Sequence, residues 1–227
     1  MLGIGMDLVI PVLAIDGPSG AGKGTVSRTV AQELGWHYLD SGAIYRALAI
    51  AVLQQRVSLD NEVEIIPVAK NLQLEFRFDP QFSVYVDSED VSDQIQSESC
   101  GDAASKIAAY STVRDVLLNK QRDFRDYPGL VADGRDMGTV VFSDAPYKVF
   151  LTASAEIRAQ RRYKQLKEKG MNVNLDQITY ELEKRDQRDK NRKTAPLIQA
   201  ADAVCIDSSE ISVSQAVARV LEFVDSK

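Results

Sequence analysis

The chain is poor in cysteine, histidine and tryptophan, and it has no long apolar run. Its 227 residues include 2 cysteines, 1 histidine and 1 tryptophan. Cys100 and Cys205 are too few and too isolated for a disulfide framework or a zinc site. Both are expected to pack as small buried hydrophobes. His37 stands beside Trp36 in an apolar stretch, which predicts a packed imidazole rather than a catalytic base. No segment approaches the ~18 consecutive apolar residues of a membrane span. The N-terminal apolar run, Val9 to Ile15, is short and has no basic segment before it of the kind a secretory leader carries. Positive charge is also in deficit: the formal net charge is -6 and the isoelectric point about 5.0. That excludes general affinity for nucleic acid. Repeats and low-complexity linkers are absent. The expectation is a soluble, cytoplasmic protein.

What is present is enough for one sizeable α/β core: hydrophobic residues make up 44% of the chain. Charge is unevenly spread. Between Glu156 and Lys193 lie 12 of the 27 Lys and Arg residues but only 7 of the 33 Asp and Glu. A basic patch on an acidic protein suits a small polyanion, although a solvated helix face accounts for many of the lysines.

The most informative segment is Gly17-Pro18-Ser19-Gly20-Ala21-Gly22-Lys23-Gly24-Thr25. It follows an apolar run and opens the helical pattern Val26 to Leu34. Strand, glycine-rich turn, lysine and helix together make a phosphate-cradling loop. The glycines let successive N–H groups turn toward an anion, and the helix adds its positive end. Lys23 places a point charge on the outer phosphates. One deviation is visible: Gly24 stands where the general pattern has Ser or Thr, and Thr25 follows. The GKGT form is associated with nucleoside monophosphate kinases.

Five apolar segments read as buried parallel strands: Val9–Ile15, His37–Leu39, Leu130–Asp133, Val149–Leu151 and Ala203–Ile206. Helical patterns separate them, and the last, Val213–Val224, carries an apolar stripe. This alternation predicts a three-layer α/β fold with a five-stranded parallel sheet and helices on both faces. Two regions break the rhythm. Leu72 to Phe78 and Phe82 to Val86 alternate around an Asp79-Pro80 turn, predicting a small antiparallel hairpin in a separate lobe inserted after the second strand. The basic stretch from Ser154 to Lys193 predicts two charged helices joined by Gly170-Met171-Asn172, as a closing lid requires. The expected division is a core of residues 1–41, 102–153 and 173–227, a monophosphate-binding lobe of 42–101 and a lid of 154–172.

Several polar clusters sit where such a fold binds ligands, in loops after strand C-termini. Ser41 in Asp40-Ser41-Gly42-Ala43-Ile44-Tyr45-Arg46 is a candidate helix cap, and Arg46 one turn later can reach a phosphate. Asp133 ends an apolar run in Asp133-Gly134-Arg135-Asp136-Met137-Gly138-Thr139, as does the magnesium-directing carboxylate of P-loop proteins. Arg158, Arg161 and Arg162 share one helix face. They are expected to clamp the transferring phosphates, with Glu156 and Glu168 the alternative structural partners. Arg185, Asp189 and Arg192 form one stripe, which spacing alone explains equally well as a surface ion-pair ladder.

The segments Asp16 to Thr25, Leu39 to Arg46, Asp133 to Thr139 and Arg185 to Asp189, in that order along nearly the whole chain, closely resemble the bacterial cytidylate kinases. The resemblance implies a P-loop fold and transfer of the γ-phosphoryl group of ATP to CMP or dCMP with Mg²⁺. It implies ATP phosphates on Gly17 to Thr25, and the acceptor phosphate on Arg46 and Arg135, with Ser41 in the acceptor site. It implies cytosine on Ser105, Arg114, Asp136 and Arg192, and the pentose on Arg185 and Asp189. Ser105 and Arg114 would otherwise read as ordinary helix residues. Thr25 and Asp133 are the candidates to reach the metal, through water. The partners are then small nucleotides, and a monomer suits a fold that opens and closes. The rival readings are a kinase for another monophosphate such as UMP or for a metabolite alcohol, a regulatory GTPase and a nucleotide sensor. The Arg46/Arg135 pair argues for an acceptor that already carries phosphate, and no Asn-Lys-x-Asp motif supports guanine reading.

Overall fold

A computed structural model describes residues 10–78, 82–168 and 170–227. Val9 and the Asp79-Pro80 turn lie outside the described residues.

The five expected strands are all present and parallel: β1 (Val12–Asp16), β2 (His37–Asp40), β6 (Leu130–Gly134), β7 (Tyr147–Thr152) and β8 (Val204–Asp207), in the order β2-β6-β1-β7-β8. β1 starts three residues later than the apolar run suggests. Pro11 has no N–H to give a ladder, but its carbonyl accepts from the Leu130 N–H at 3.0 Å. The register pairs Ile15 with Asp133 and with Val149, which sets the C-terminal ends of β1, β6 and β7 side by side.

Side-chain alternation divides the core between two faces. Leu13, Ile15, Val131, Val149 and Leu151 face α1 (Lys23–Leu34) and α8 (Val213–Asp225), meeting Val26, Val30, Val217 and Val220. Val12, Ala14, Leu39 and Ala132 face the opposite layer. That layer contains α2 (Ser41–Gln54), α3 (Glu62–Asn71), α4 (Glu98–Ile107) and α5 (Ser111–Arg122). Ten residues of α2 are buried. A helix apolar on nearly every side must be covered on nearly every side, and α2 is the hub of that layer.

The small sheet is the expected hairpin, β3 (Leu74–Phe78) and β4 (Phe82–Val86), extended by a short strand, β5 (Glu89–Asp90). Val84 and Val86 join the same apolar cluster as α2, Val12 and Ala14. The lobe is thus an insertion in topology but shares one core with the sheet. The boundaries expected at 41/42 and 101/102 fall inside α2 and α4 rather than between elements.

The basic stretch forms α6 (Ala155–Glu168) and α7 (Leu175–Asn191). These two helices have a small core of their own, Ala159, Leu166, Ile178 and Leu182.

Candidate active site

The loop after β1 sits where three strand ends converge. Gly17 has φ +154, and a Cβ there would lie 1.9 Å from the Leu151 carbonyl oxygen of β7, so no larger residue fits. The chain then turns into α1 at Lys23. The Lys23 ammonium is buried and donates to the Pro18 carbonyl at 2.9 Å. Burial, with Arg135 nearby, pushes its pKa down. Asp133, at the end of β6, shares the cleft. Burial and then the Asp40 charge push its carboxyl up, and the Tyr38 hydroxyl donates to it at 2.7 Å. Asp16 ends β1 and grips the loop after β6: its two oxygens accept from the Met137 and Gly138 N–H groups, each at 2.8 Å. Burial raises Asp16 to about 6 despite these bonds.

Around this point opens a cleft of about 530 Å³, within the range of small-molecule sites. Ser19 to Thr25 line one side of it. Arg46, Ser105, Arg114, Arg135, Asp136, Arg185, Asp189 and Arg192 line the other. The residues named by resemblance are thereby brought together from α2, α4, α5, α7 and the loop after β6. They form a bonded network. Arg114 pairs with Asp136. Arg135 Nε donates to Asp189 at 2.8 Å, and the Ser105 hydroxyl donates to the same carboxylate at 3.2 Å. Burial opposes ionisation of Asp189, but Arg135 and Arg185 outweigh it and hold the carboxyl below its usual range. Burial, then Arg46 and Arg135, lower Arg185 to about 9. Among the described residues, the buried Nε groups of Arg46, Arg185 and Arg192 have no partner in the protein.

The structure bears on five of the readings left by the sequence. Arg185, Asp189 and Arg192 are not a surface ladder: Asp189 and Arg192 are buried, because α4 and the loop after β6 pack over that stripe. The cap of α2 is Asp40, which accepts from the Ala43 N–H at 2.9 Å; Ser41 is already helical, and its hydroxyl donates to Gln121 at 2.8 Å. His37 is exposed at the start of an edge strand, bonded through Nε2 to the Tyr127 carbonyl at 2.9 Å. Cys205 is exposed as well, on the other edge strand; only Cys100 is buried.

The fifth concerns the lid arginines. Arg161 and Arg162 line the cleft, whereas Arg158 does not. Their acidic partners are not Glu156 and Glu168. Arg162 pairs with Glu98 of α4, and Arg158 pairs with Asp186 of α7 at 2.5 Å. Arg161 donates to the Ser208 carbonyl at 2.5 Å. Sequence reasoning missed the far end of the cleft, lined by Ser208, Ile211, Ser212, Val213 and Ala216. Small and apolar residues after a last strand carry no chemical signature; only their place beside the loop of residues 19–25 marks them.

A glycine-rich loop under a helix, a buried lysine, a facing carboxylate and an opposed arginine cluster define a P-loop phosphotransferase. A family profile described as cytidylate kinase matches residues 13–226. A cytidylate kinase from Methylococcus capsulatus is 58% identical over 97% of this chain and 100% of its own length. Those from Aeromonas salmonicida and Klebsiella pneumoniae are 53% and 51% identical, covering 98% and 96% of this chain and 97% and 96% of theirs. The chain belongs to the cytidylate kinase family.

Proposed function

We propose that the protein transfers the γ-phosphoryl group of ATP to CMP or dCMP, giving ADP and the nucleoside diphosphate. The observation that carries this reading is the gathering of five arginines, Arg46, Arg114, Arg135, Arg185 and Arg192, against two aspartates, Asp136 and Asp189, in one cleft with the loop of Ser19 to Thr25. Like charges held together cost free energy unless an anion faces them. An acceptor that already carries phosphate supplies that anion, and an alcohol does not.

Each part then has a task. The N–H groups of residues 20–25 and Lys23 hold the donor phosphates, and Arg161 and Arg162 reach over from the lid. Ser208, Ile211 and Val213 flank the donor base. Arg46 and Arg135 neutralise the acceptor phosphate so that two anions meet in line. Arg185 and Asp189 hold the pentose, with Ser41 nearby. Ser105, Arg114, Asp136 and Arg192 read cytosine. Its N4 amino group is a donor where uracil has an acceptor oxygen, and the Asp136 carboxylate accepts from the first and repels the second. No base is needed, since a phosphomonoester is largely dianionic at neutral pH.

Magnesium fits this site. This ion keeps several waters and takes substrate phosphates with one or two carboxylates. Asp133, a buried carboxylate lining the cleft beside Lys23, and Thr25 would hold it through water. When bound, the ion neutralises charge on the phosphates. No described helix is long and apolar enough to cross a membrane; we read the protein as a cytoplasmic monomer.

The test is a coupled ADP-release assay with ATP and Mg²⁺, offering CMP, dCMP, UMP, AMP and GMP separately. Strong turnover with CMP and dCMP alone is expected. Strong turnover with another monophosphate keeps the phosphate machinery but removes the cytosine-reading assignment. No turnover with any of them overturns the reading.

A further inference from the structure

Arg158 and Asp186 are among the most buried charged residues of the chain, at 7% and 6% exposure. They come from different helices, α6 and α7, and meet on the outer side of the phosphate-binding loop. Arg158 Nη1 donates to the Ser19 carbonyl at 2.9 Å as well as to Asp186. The other oxygen of Asp186 accepts from the Ser19 N–H at 3.3 Å. Arg158 Nε donates to the Ala153 carbonyl at 3.1 Å, which anchors the side chain at the root of α6. The contact is close: Gly20 has φ +77, and a Cβ there would lie 3.0 Å from the Arg158 Cβ. Both peptide groups that flank Ser19 are thereby held from outside the cleft.

A trans peptide directs its N–H opposite its C=O. Holding the Ser19 carbonyl outward therefore turns the Gly20 N–H inward, toward the cleft that Gly20 lines. Were that peptide to flip, a carbonyl oxygen would face the phosphates and repel them. A loop with three glycines between residues 17 and 22 has little restraint of its own. An ordering cost not met in the free protein is met when ligand binds.

We propose that Arg158 and Asp186 are positioning residues that bracket the Ser19 peptides and preset the loop for a triphosphate, and that Arg158 is not a phosphate ligand. The proposal rests on the phosphoryl-transfer reading above for the identity of the ligand. It departs from the sequence expectation that grouped Arg158 with Arg161 and Arg162. It also gives the lid a fixed root: both helices are bonded to the loop they cover, so any closing movement lies beyond this bracket.

The experiment is a double-mutant cycle, Arg158→Met, Asp186→Leu and the pair together. Calorimetric titration uses a non-hydrolysable ATP analogue with Mg²⁺ and, separately, CMP. Each single change is expected to weaken the analogue by about tenfold or more, and the pair by no more than the worse single change, as for two halves of one device. CMP affinity should fall by less than analogue affinity does, because Asp186 acts on acceptor-side Arg135 only through its charge and Arg158 lines no part of the cleft. A single change leaves a lone buried charge and can unfold the protein. The apolar pair avoids this, and Arg158→Lys keeps the charge but lacks the fork that reaches both Ser19 and Asp186. Arg158→Lys should also weaken the analogue.

Hydrogen exchange reads the bracket without nucleotide: the Ser19 amide should exchange faster in the double variant than in the parent. Unchanged exchange, or analogue affinity equal to the parent in the double variant and in Arg158→Lys, overturns the proposal. So does a large fall in kcat for Arg158→Met with Asp186→Leu near normal, which would make Arg158 a phosphate contact. If the parent protein binds neither the analogue nor CMP, the function reading fails instead, while the exchange result still judges the bracket.

Discussion

The two halves of the cleft are built from different material. The donor half is mostly backbone: N–H groups of a glycine loop, one lysine, and a helix end. The acceptor half is mostly side chain: five arginines, two aspartates and a serine from four helices and a strand end, tied by ion pairs. Backbone N–H groups can hold phosphates but have no means to tell one base from another. Side chains on separate elements can discriminate, at the expense of needing the whole fold to bring them together. On the proposed assignment, chemistry common to many enzymes sits on local geometry, and selectivity sits on tertiary geometry.

Substitutions can test this division. The largest effect should come from Lys23→Ala, which removes the charge on the outer phosphates. Turnover should fall by ~10³ or more, with circular dichroism unchanged; a folded variant with near-normal rate would break the donor assignment. Asp136→Asn comes next. Truncating to alanine would strand buried Arg114, so the isosteric change is the cleaner probe. The preference for CMP over UMP should fall by ~10² or more, since sites that bond polar edges can discriminate by up to ~10⁴. Steady-state rates on both acceptors decide, and an unchanged ratio removes Asp136 from base reading.

Arg46→Ala should act on one half only. A charged hydrogen bond of about 1.5–3 kcal/mol predicts a KM for CMP raised roughly 10–100-fold. The KM for ATP should stay near that of the parent, and equal rises in both would blur the division. The last effect is on stability alone and lies where the halves join. Asp16 on the donor strand grips the acceptor loop, and burial lifts its pKa from 3.8 to about 6. A carboxyl raised on folding favours the folded state below its unfolded pKa, and loses that advantage as pH rises through the folded value. Against Asp16→Asn, the parent should therefore lose up to about 3 kcal/mol of relative stability between pH 4 and 7. Chemical denaturation at both pH values measures it; a constant difference would show that Asp16 is not lifted.

The same division explains what the chain discloses before folding. The loop from Gly17 to Thr25 and the five strands are written locally, in glycine spacing and apolar runs, and all five strands lie within three residues of where those runs place them. Arg135 is legible as a candidate because it directly follows β6, and Arg46 because it lies one turn into the helix that follows β2. Ser105 and Arg114 carry no pattern of their own; resemblance named them, and burial against Asp189 and Asp136 gives them their partners. The stripe of Arg185, Asp189 and Arg192 was ambiguous because spacing sets a helix face but not what covers it. Arg158 was grouped with its neighbours because helical periodicity is blind to one turn of rise: it packs against the loop at the root of α6, while Arg161 and Arg162, further along, look into the cleft.

The apolar continuity beneath α2 carries a separate consequence. Val84 and Val86 of the small sheet, Ile65 of α3 and Leu48 of α2 share one cluster with Val12 and Ala14 of the central strand. Such a lobe is not an interchangeable cassette. Grafting it onto another P-loop scaffold would expose one face of α2 and leave the recipient sheet without its cover, so a change of acceptor by transplantation requires the underlying strand residues to travel with it.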